Sequence, residues 1–126
     1  MVKRKSTKLQ FQTQMKILLV DDDGFIIFTM RNLLTKMGFL LVETAKNGSE
    51  AVDLVLTANK QKLTSFSLIL MDINMPIMNG YEAAKTINEA IQNGFIHHVP
   101  IMAVTAQDSE DHEQKINQAG IIATGM

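Results

Sequence analysis

A chain of 126 residues suits one compact domain, and its 46% apolar content with a net charge of −1 gives it a core that a disordered segment lacks. It has no cysteine, which excludes disulfides and thiolate chemistry, and no apolar run approaches the ~18–20 residues of a bilayer-spanning helix. The charge is uneven: residues 1–20 carry five basic residues and no acid, so the remainder carries −6. No apolar signal core follows Met1-Val2-Lys3-Arg4-Lys5, and a cytoplasmic location is expected. The basic segment reads as solvated chain rather than a nucleic-acid arm. The expected organisation is a flexible tail over 1–13 and one domain over 14–126.

Met15 to Val20 is a short, nearly continuous apolar run ending in acids, the pattern of a strand buried on both faces. Asp22 or Asp23 can cap a following helix, in which Ile27, Met30, Leu34 and Met37 recur at helical spacing before Gly38 stops it. Phe39 to Thr44 reads as a second strand. Asn47-Gly48 reads as a turn, also at the Asn47-Gly48-Ser49 glycosylation pattern, and Ala51, Val52, Val55 and Leu56 mark a second helix. Residues 60–65 form a polar loop. Ser67 to Met71 is a third buried strand, ending at Asp72, with Pro76 and Asn79-Gly80 punctuating the loop after it. Ala84, Ile87 and Ile91 give a third helix ending near Gly94. Ile101 to Val104 is a fourth strand that stops at Thr105. Residues 107–118 look helical but poorly amphipathic, with Ile116 their only aliphatic residue.

Alternation of strand and helix implies a parallel sheet with helices on both faces. In the flavodoxin-like, doubly wound order 2-1-3-4-5, strands 1 and 3 are neighbours, and ligands bind beyond the carboxyl ends of the strands. Asp21, Asp22 and Asp72 then converge at one edge. Three like charges in one crevice repel unless neutralised, and Mg²⁺ favours a few carboxylates together with water and phosphate oxygens. A carboxylate can also act as nucleophile and form an aspartyl-phosphate. Thr105 ends the strand beside Asp72, where its hydroxyl can reach a phosphoryl oxygen and Ala106 leaves room.

Three segments carry a resemblance. Ile17-Leu18-Leu19-Val20-Asp21-Asp22-Asp23, Met71-Asp72-Ile73-Asn74-Met75-Pro76-Ile77-Met78-Asn79-Gly80-Tyr81-Glu82-Ala83 and Val99-Pro100-Ile101-Met102-Ala103-Val104-Thr105-Ala106 resemble, in order and spacing, the receiver domains of response regulators. The resemblance implies that Asp72 accepts a phosphoryl group from a phosphohistidine on a histidine kinase or histidine phosphotransfer protein. It implies Mg²⁺ held by Asp22 and Asp72 directly, by Asp21 through water and by the Asn74 backbone carbonyl. It further implies that the Asn74 side chain faces the hydrolytic water and that Thr105 is the switch. It implies self-phosphorylation and autodephosphorylation rather than enzymatic turnover, and a signalling surface with neither membrane contact nor clear nucleic-acid binding. The weak apolar face of residues 107–118 fits a helix that rearranges cheaply.

The family also carries a lysine at the end of a fifth strand, an aromatic partner for the threonine, and a fifth helix. Here Ile121 to Met126 is at most part of that strand, so it is expected to be partial or missing. A fragment of a longer protein, such as a hybrid histidine kinase, is the favoured explanation, with Mg²⁺ binding expected and slow phosphorylation. Two other readings remain. A receiver-like module can bind partners without phosphorylation. Alternatively, Asp21-Asp22-Asp23-Gly24 matches the opening of haloacid-dehalogenase-type phosphatases, with Asp21 as nucleophile and Asp23 as acid/base.

Overall fold

The computed structural model describes residues 12–60, 65–104, 110–121 and 123–125. Residues 12–14 form a helical turn leading into the sheet; the rest of the expected basic tail lies outside the described residues. Strands β1 (Lys16–Val20), β2 (Leu41–Ala45), β3 (Leu68–Met71), β4 (Ile101–Val104) and β5 (Ala123–Gly125) alternate with helices α1 (Gly24–Lys36), α2 (Gly48–Lys60), α3 (Gly80–Gln92) and α4 (Glu110–Ala119). All strand pairs are parallel, in the order β2-β1-β3-β4-β5. This is the doubly wound, flavodoxin-like arrangement expected from the alternation. The fifth strand is partial, as expected, rather than missing. Its three residues pair Ala123 with Met102, Thr124 with Ala103 and Gly125 with Val104, so β4 has a neighbour on both sides.

The central strands are apolar at successive positions because both of their faces are covered. On one face Leu18, Val20, Ile69, Met71, Ile101 and Ala103 pack with Ala51, Val52, Val55 and Ala58 of α2 and with Ala83, Ala84 and Ile87 of α3. On the other, Ile17, Leu19 and Leu70 meet Ile27, Met30 and Leu34 of α1. Two positions of the expected helical stripes fall outside these cores. Met37 is exposed because it is the C-cap, beyond the last regular turn of α1. Leu56 is exposed because it is rotated about 100° past Val55, and Ala58, one turn on, is buried instead.

Asn47-Gly48 and Asn79-Gly80 both start helices. Asn47 accepts the Glu50 N–H at 2.9 Å. Asn79 accepts the Glu82 N–H at 2.9 Å, while the Glu82 carboxylate accepts the Asn79 N–H at 3.1 Å, a complete capping box. Gly38 does end α1 as expected, at φ 101.

Among the described side chains of α4 only Ala119 is buried; Gln114, Lys115, Asn117 and Gln118 are exposed. Two polar contacts join it to α3: the Asn88 side chain donates to the Ala119 carbonyl at 2.7 Å, and the Lys115 ammonium lies 5.5 Å from the Tyr81 ring centre. Ile116, on which the expected weak apolar face turned, has a side chain outside the described residues.

Gly80 fixes the junction of the β3–α3 loop with its helix. Its N–H donates to the Ile73 carbonyl at 2.9 Å, and a Cβ there would collide with the Asp72 carbonyl oxygen and lie 2.9 Å from Ile73 Cα. Both are backbone atoms, so the clash cannot relax by a rotamer change. Gly80→Ala is expected to destabilise the protein by about 1–3 kcal/mol, the range for forced overpacking, measured by urea unfolding. Unchanged stability would show that the loop yields freely.

Candidate functional site

The acids meet because of strand register. Val20 of β1 is aligned with Met71 of β3, so the next residues, Asp21 and Asp72, leave the sheet side by side. Backbone bonds continue past the strands: Asp72 N–H donates to the Val20 carbonyl at 2.8 Å, and Asp21 N–H donates to the Ala45 carbonyl of β2 at 3.1 Å. The carboxylates of Asp21, Asp22 and Asp72 each place an oxygen so that all three lie within 4.8 Å of one another. Asp21 is buried, Asp72 half-buried and Asp22 exposed.

Asp23 stands apart from this cluster. Its carboxylate accepts the Phe25 N–H at 2.9 Å as the N-cap of α1. Its own N–H donates to Asp21 Oδ1 at 2.9 Å. A carboxylate occupied by a helix start is badly placed as the acid/base of a phosphatase, which removes the main support for that alternative.

Burial pushes the Asp72 carboxyl up to about 6 from an ordinary 3.8; the Asp21 charge adds to the rise, the Asn74 N–H opposes it, and Asp22 and the Ile73 N–H contribute less. Asp21 is raised too, first by burial, against the Asp23 N–H bond and with Asp22 and Asp23 adding repulsion. The cluster thus holds like charges with few donors to offset them. Three carboxylate oxygens at this spacing, one from a buried side chain, fit a hard divalent cation that takes oxygen ligands and keeps several waters.

Asn74, two residues past Asp72, is exposed and borders the same edge. Thr105, the expected switch residue, lies outside the described residues. Sequence reasoning overlooked how the β3–α3 loop is held. Gly48 N–H donates to the Met78 carbonyl at 3.0 Å, tying the start of α2 to the β3–α3 loop. The Asn-x-x-Glu spacing of Asn79 and Glu82 was the available signal that this loop ends in a capped helix. No comparable signal marks the tie at Gly48.

Residues 17–124 match the family described as the response regulator receiver domain. Hybrid signal transduction histidine kinase I of Dictyostelium discoideum is 37% identical over 106 residues, covering 84% of this chain and 6% of that protein. Probable histidine kinase 2 of Oryza sativa is 34% identical over 115 residues, covering 85% of this chain and 11% of that protein. The chain therefore spans a small part of the curated relatives it matches. Among solved structures, the receiver domain of the histidine kinase CKI1 from Arabidopsis thaliana, in complex with Mg²⁺ and BeF₃⁻, superposes with a TM-score of 0.81 at 30% identity, covering 91% of this chain and 82% of that one. The chemotaxis protein CheY4 of Vibrio cholerae superposes with a TM-score of 0.73 at 29% identity, covering 89% and 85%. Such domains are not classical enzymes; they undergo self-phosphorylation and self-dephosphorylation. With three acids joined at the carboxyl edge of a 2-1-3-4-5 sheet and a family match across most of its length, the chain belongs to the response regulator receiver domains.

Proposed function

We propose that this chain is the phosphoacceptor of a His-Asp phosphorelay, with Asp72 as the nucleophile. The observation that carries this is the half-buried Asp72 carboxylate set against Asp21 and Asp22 at the end of β3. A carboxylate oxygen of Asp72 attacks the phosphorus of a phosphoimidazole, the P–N bond breaks, and the donor imidazole takes up a proton. Asp21, Asp22, Asp72 and the Asn74 carbonyl are the candidate ligands of Mg²⁺. When bound, the ion neutralises the clustered charge and stabilises the phosphoryl oxygens. The Asn74 side chain is proposed to face the water that later hydrolyses the acyl phosphate, and Thr105 is the proposed switch.

The donor is proposed to be a histidine kinase or a histidine phosphotransfer protein, consistent with the kinases among the relatives. The apolar flank of α1 supports a protein donor: Phe25 and Phe28 are 74% and 63% exposed, and Ile26 and Leu33 are exposed with them. Exposed large apolar side chains gathered on one helix are a candidate interaction surface. Among the described residues no helix is long and apolar enough to cross a membrane, and the proposed location is the cytoplasm, where the chain is part of a hybrid kinase or a similar relay protein.

Acetyl phosphate with Mg²⁺ is expected to label Asp72. Borohydride reduction followed by peptide mass spectrometry locates the acyl phosphate, and Asp72→Asn should abolish it. Label on Asp21 would overturn the assignment. Asp21→Asn should weaken Mg²⁺ binding by about 10–100-fold, the usual effect of losing a supporting ligand, measured by calorimetric titration.

The raised Asp72 carboxyl sets a pH dependence. Between about pH 4 and 6 the folded chain holds a proton here that the unfolded chain has released. Stability from this group is therefore greatest below about pH 4 and falls as pH rises through about 6. In cation-free buffer, lowering pH from about 7 to 5 should stabilise wild type relative to Asp72→Asn, which lacks the titrating group. Parallel pH profiles of the melting temperature for the two proteins would refute this.

A further inference from the structure

Three asparagines of this chain precede a glycine: Asn47-Gly48, Asn79-Gly80 and Asn93-Gly94. At such a pair an asparagine amide is lost readily, because glycine has no Cβ to shield its backbone nitrogen. That nitrogen attacks the asparagine Cγ, its proton passes to solvent, and the C–N bond of the side-chain amide breaks to release ammonia. Water then opens the cyclic imide at either carbonyl. The products are aspartate and isoaspartate, in which the main chain runs through the former side-chain carbonyl. Water is the only co-reactant. Hydrogen bonds slow the reaction when they hold the attacking N–H or the side-chain amide in place.

The three pairs are unequally guarded. The Asn47 side chain accepts the Glu50 N–H at 2.9 Å, and the Gly48 N–H is bound to the Met78 carbonyl at 3.0 Å. The Asn79 side chain accepts the Glu82 N–H at 2.9 Å, and the Gly80 N–H is bound to the carbonyl of buried Ile73 at 2.9 Å. Gly48 and Gly80 are themselves buried. Neither amide can be attacked until a helix start has come apart.

Asn93 is placed differently. It is the C-cap of α3 and is exposed, as are Gln92, Gly94 and Phe95 around it. Its side chain makes no hydrogen bond to any other described residue. Gly94 has φ 77, its N–H donates to the Ile91 carbonyl at 3.1 Å, and the Phe95 N–H donates to the Ala90 carbonyl at 2.9 Å. These two bonds form a Schellman ending, made within the last turn alone, and helix ends fray. A Cβ on Gly94 would meet nothing within 4 Å, so the space around its nitrogen is open.

We propose that Asn93 is the site of spontaneous deamidation in this protein, that the caps and ties at Asn47 and Asn79 keep those two intact, and that conversion of Asn93 loosens the last turn of α3. The product places a carboxylate at the carboxyl end of a helix, where the helix dipole opposes negative charge. Isoaspartate also adds a methylene to the main chain ahead of Gly94, which puts the Gly94 and Phe95 N–H groups out of step with the Ile91 and Ala90 carbonyls. The start of α3, about 20 Å away along the helix, keeps its capping box and the Gly80 tie.

The test holds the folded chain in mildly alkaline buffer and follows the three Asn-Gly peptides by mass spectrometry. An isoaspartyl methyltransferase reports isoaspartate, and the same chain in urea is the unfolded reference. In the folded chain Asn93 should convert about tenfold faster than Asn47 or Asn79, the factor that loss of one helix cap represents. In urea the three rates should draw together. Asn93→Gln should remove most of the isoaspartate formed by the folded chain. Asn93→Asp, which carries the charge of the product, should melt about 2–4 °C lower than wild type. Equal rates at the three pairs in the folded chain overturn the proposal, as does faster conversion at Asn47 or Asn79. A ranking that persists unchanged in urea also overturns it, by placing the difference in the flanking residues rather than in the caps. An unchanged melting temperature for Asn93→Asp overturns the claimed effect on the helix end.

Discussion

The alignment of Val20 with Met71 in the parallel pair β1–β3 is the constraint on which the site depends. Parallel strands deliver their carboxyl ends to the same edge, and this register delivers two acids as neighbours. The bonds from Asp72 N–H to Val20 and from Asp21 N–H to Ala45 extend the ladder by one residue on each strand. The carboxylates therefore cannot relieve their repulsion by backbone movement without breaking sheet hydrogen bonds. What yields instead is protonation: burial first, and the Asp21 charge after it, push the Asp72 carboxyl up to about 6. The same rigidity fits the cluster to a cation, because three carboxylate oxygens already lie within 4.8 Å of one another and little ordering would remain to be done.

The two faces of the sheet are packed differently, and α1 carries apolar residues beyond the stripe that meets the sheet. Ile27, Met30 and Leu34 face Ile17, Leu19 and Leu70. Phe25, Phe28 and Leu33, on other sides of the same helix, face away from the sheet. One apolar stripe satisfies the helix's own domain, whereas further exposed apolar residues are available to a second surface. None of the described residues of α1 is fully buried. The opposite face, under α2 and α3, has the alanines and β-branched residues of close helix–sheet packing and no comparable surplus.

Much of this was legible in the sequence. The strands showed as short apolar runs because burial on both faces removes the polar alternation that would blur them, and β4 was delimited residue for residue. The acids were legible as a group once alternation had implied the strand order. Asn47-Gly48 was misread as a turn, and Asn79-Gly80 was assigned only to the loop, because the same pair also serves at helix starts, where the asparagine side chain caps the first turn. The Glu82 three residues after Asn79 carried the distinction. Leu56 and Met37 matched a helical stripe by spacing, but phase against the sheet and helix length decide burial. The positive φ of Ile77 was not legible, since nothing in the residue type announces it and local preference argues against it.

The helices differ in how firmly they are held, and the difference bears on how a change at Asp72 could travel. The start of α3 is locked to the acceptor loop by Gly80, by the capping box and by the tie from Gly48 to Met78. Its buried Ala83, Ala84 and Ile87 then fix it to the core. It is poorly suited to move independently. Among its described side chains α4 buries only Ala119, and it meets α3 through the Asn88 bond and the stacking of Lys115 on Tyr81. Polar contacts at a surface exchange readily with water, so the described contacts of α4 are of a kind that costs less to remake than buried apolar ones. A charge added at Asp72 would act on a loop and helix held by buried apolar side chains, and α3 is then the frame against which any displacement of its neighbours is read.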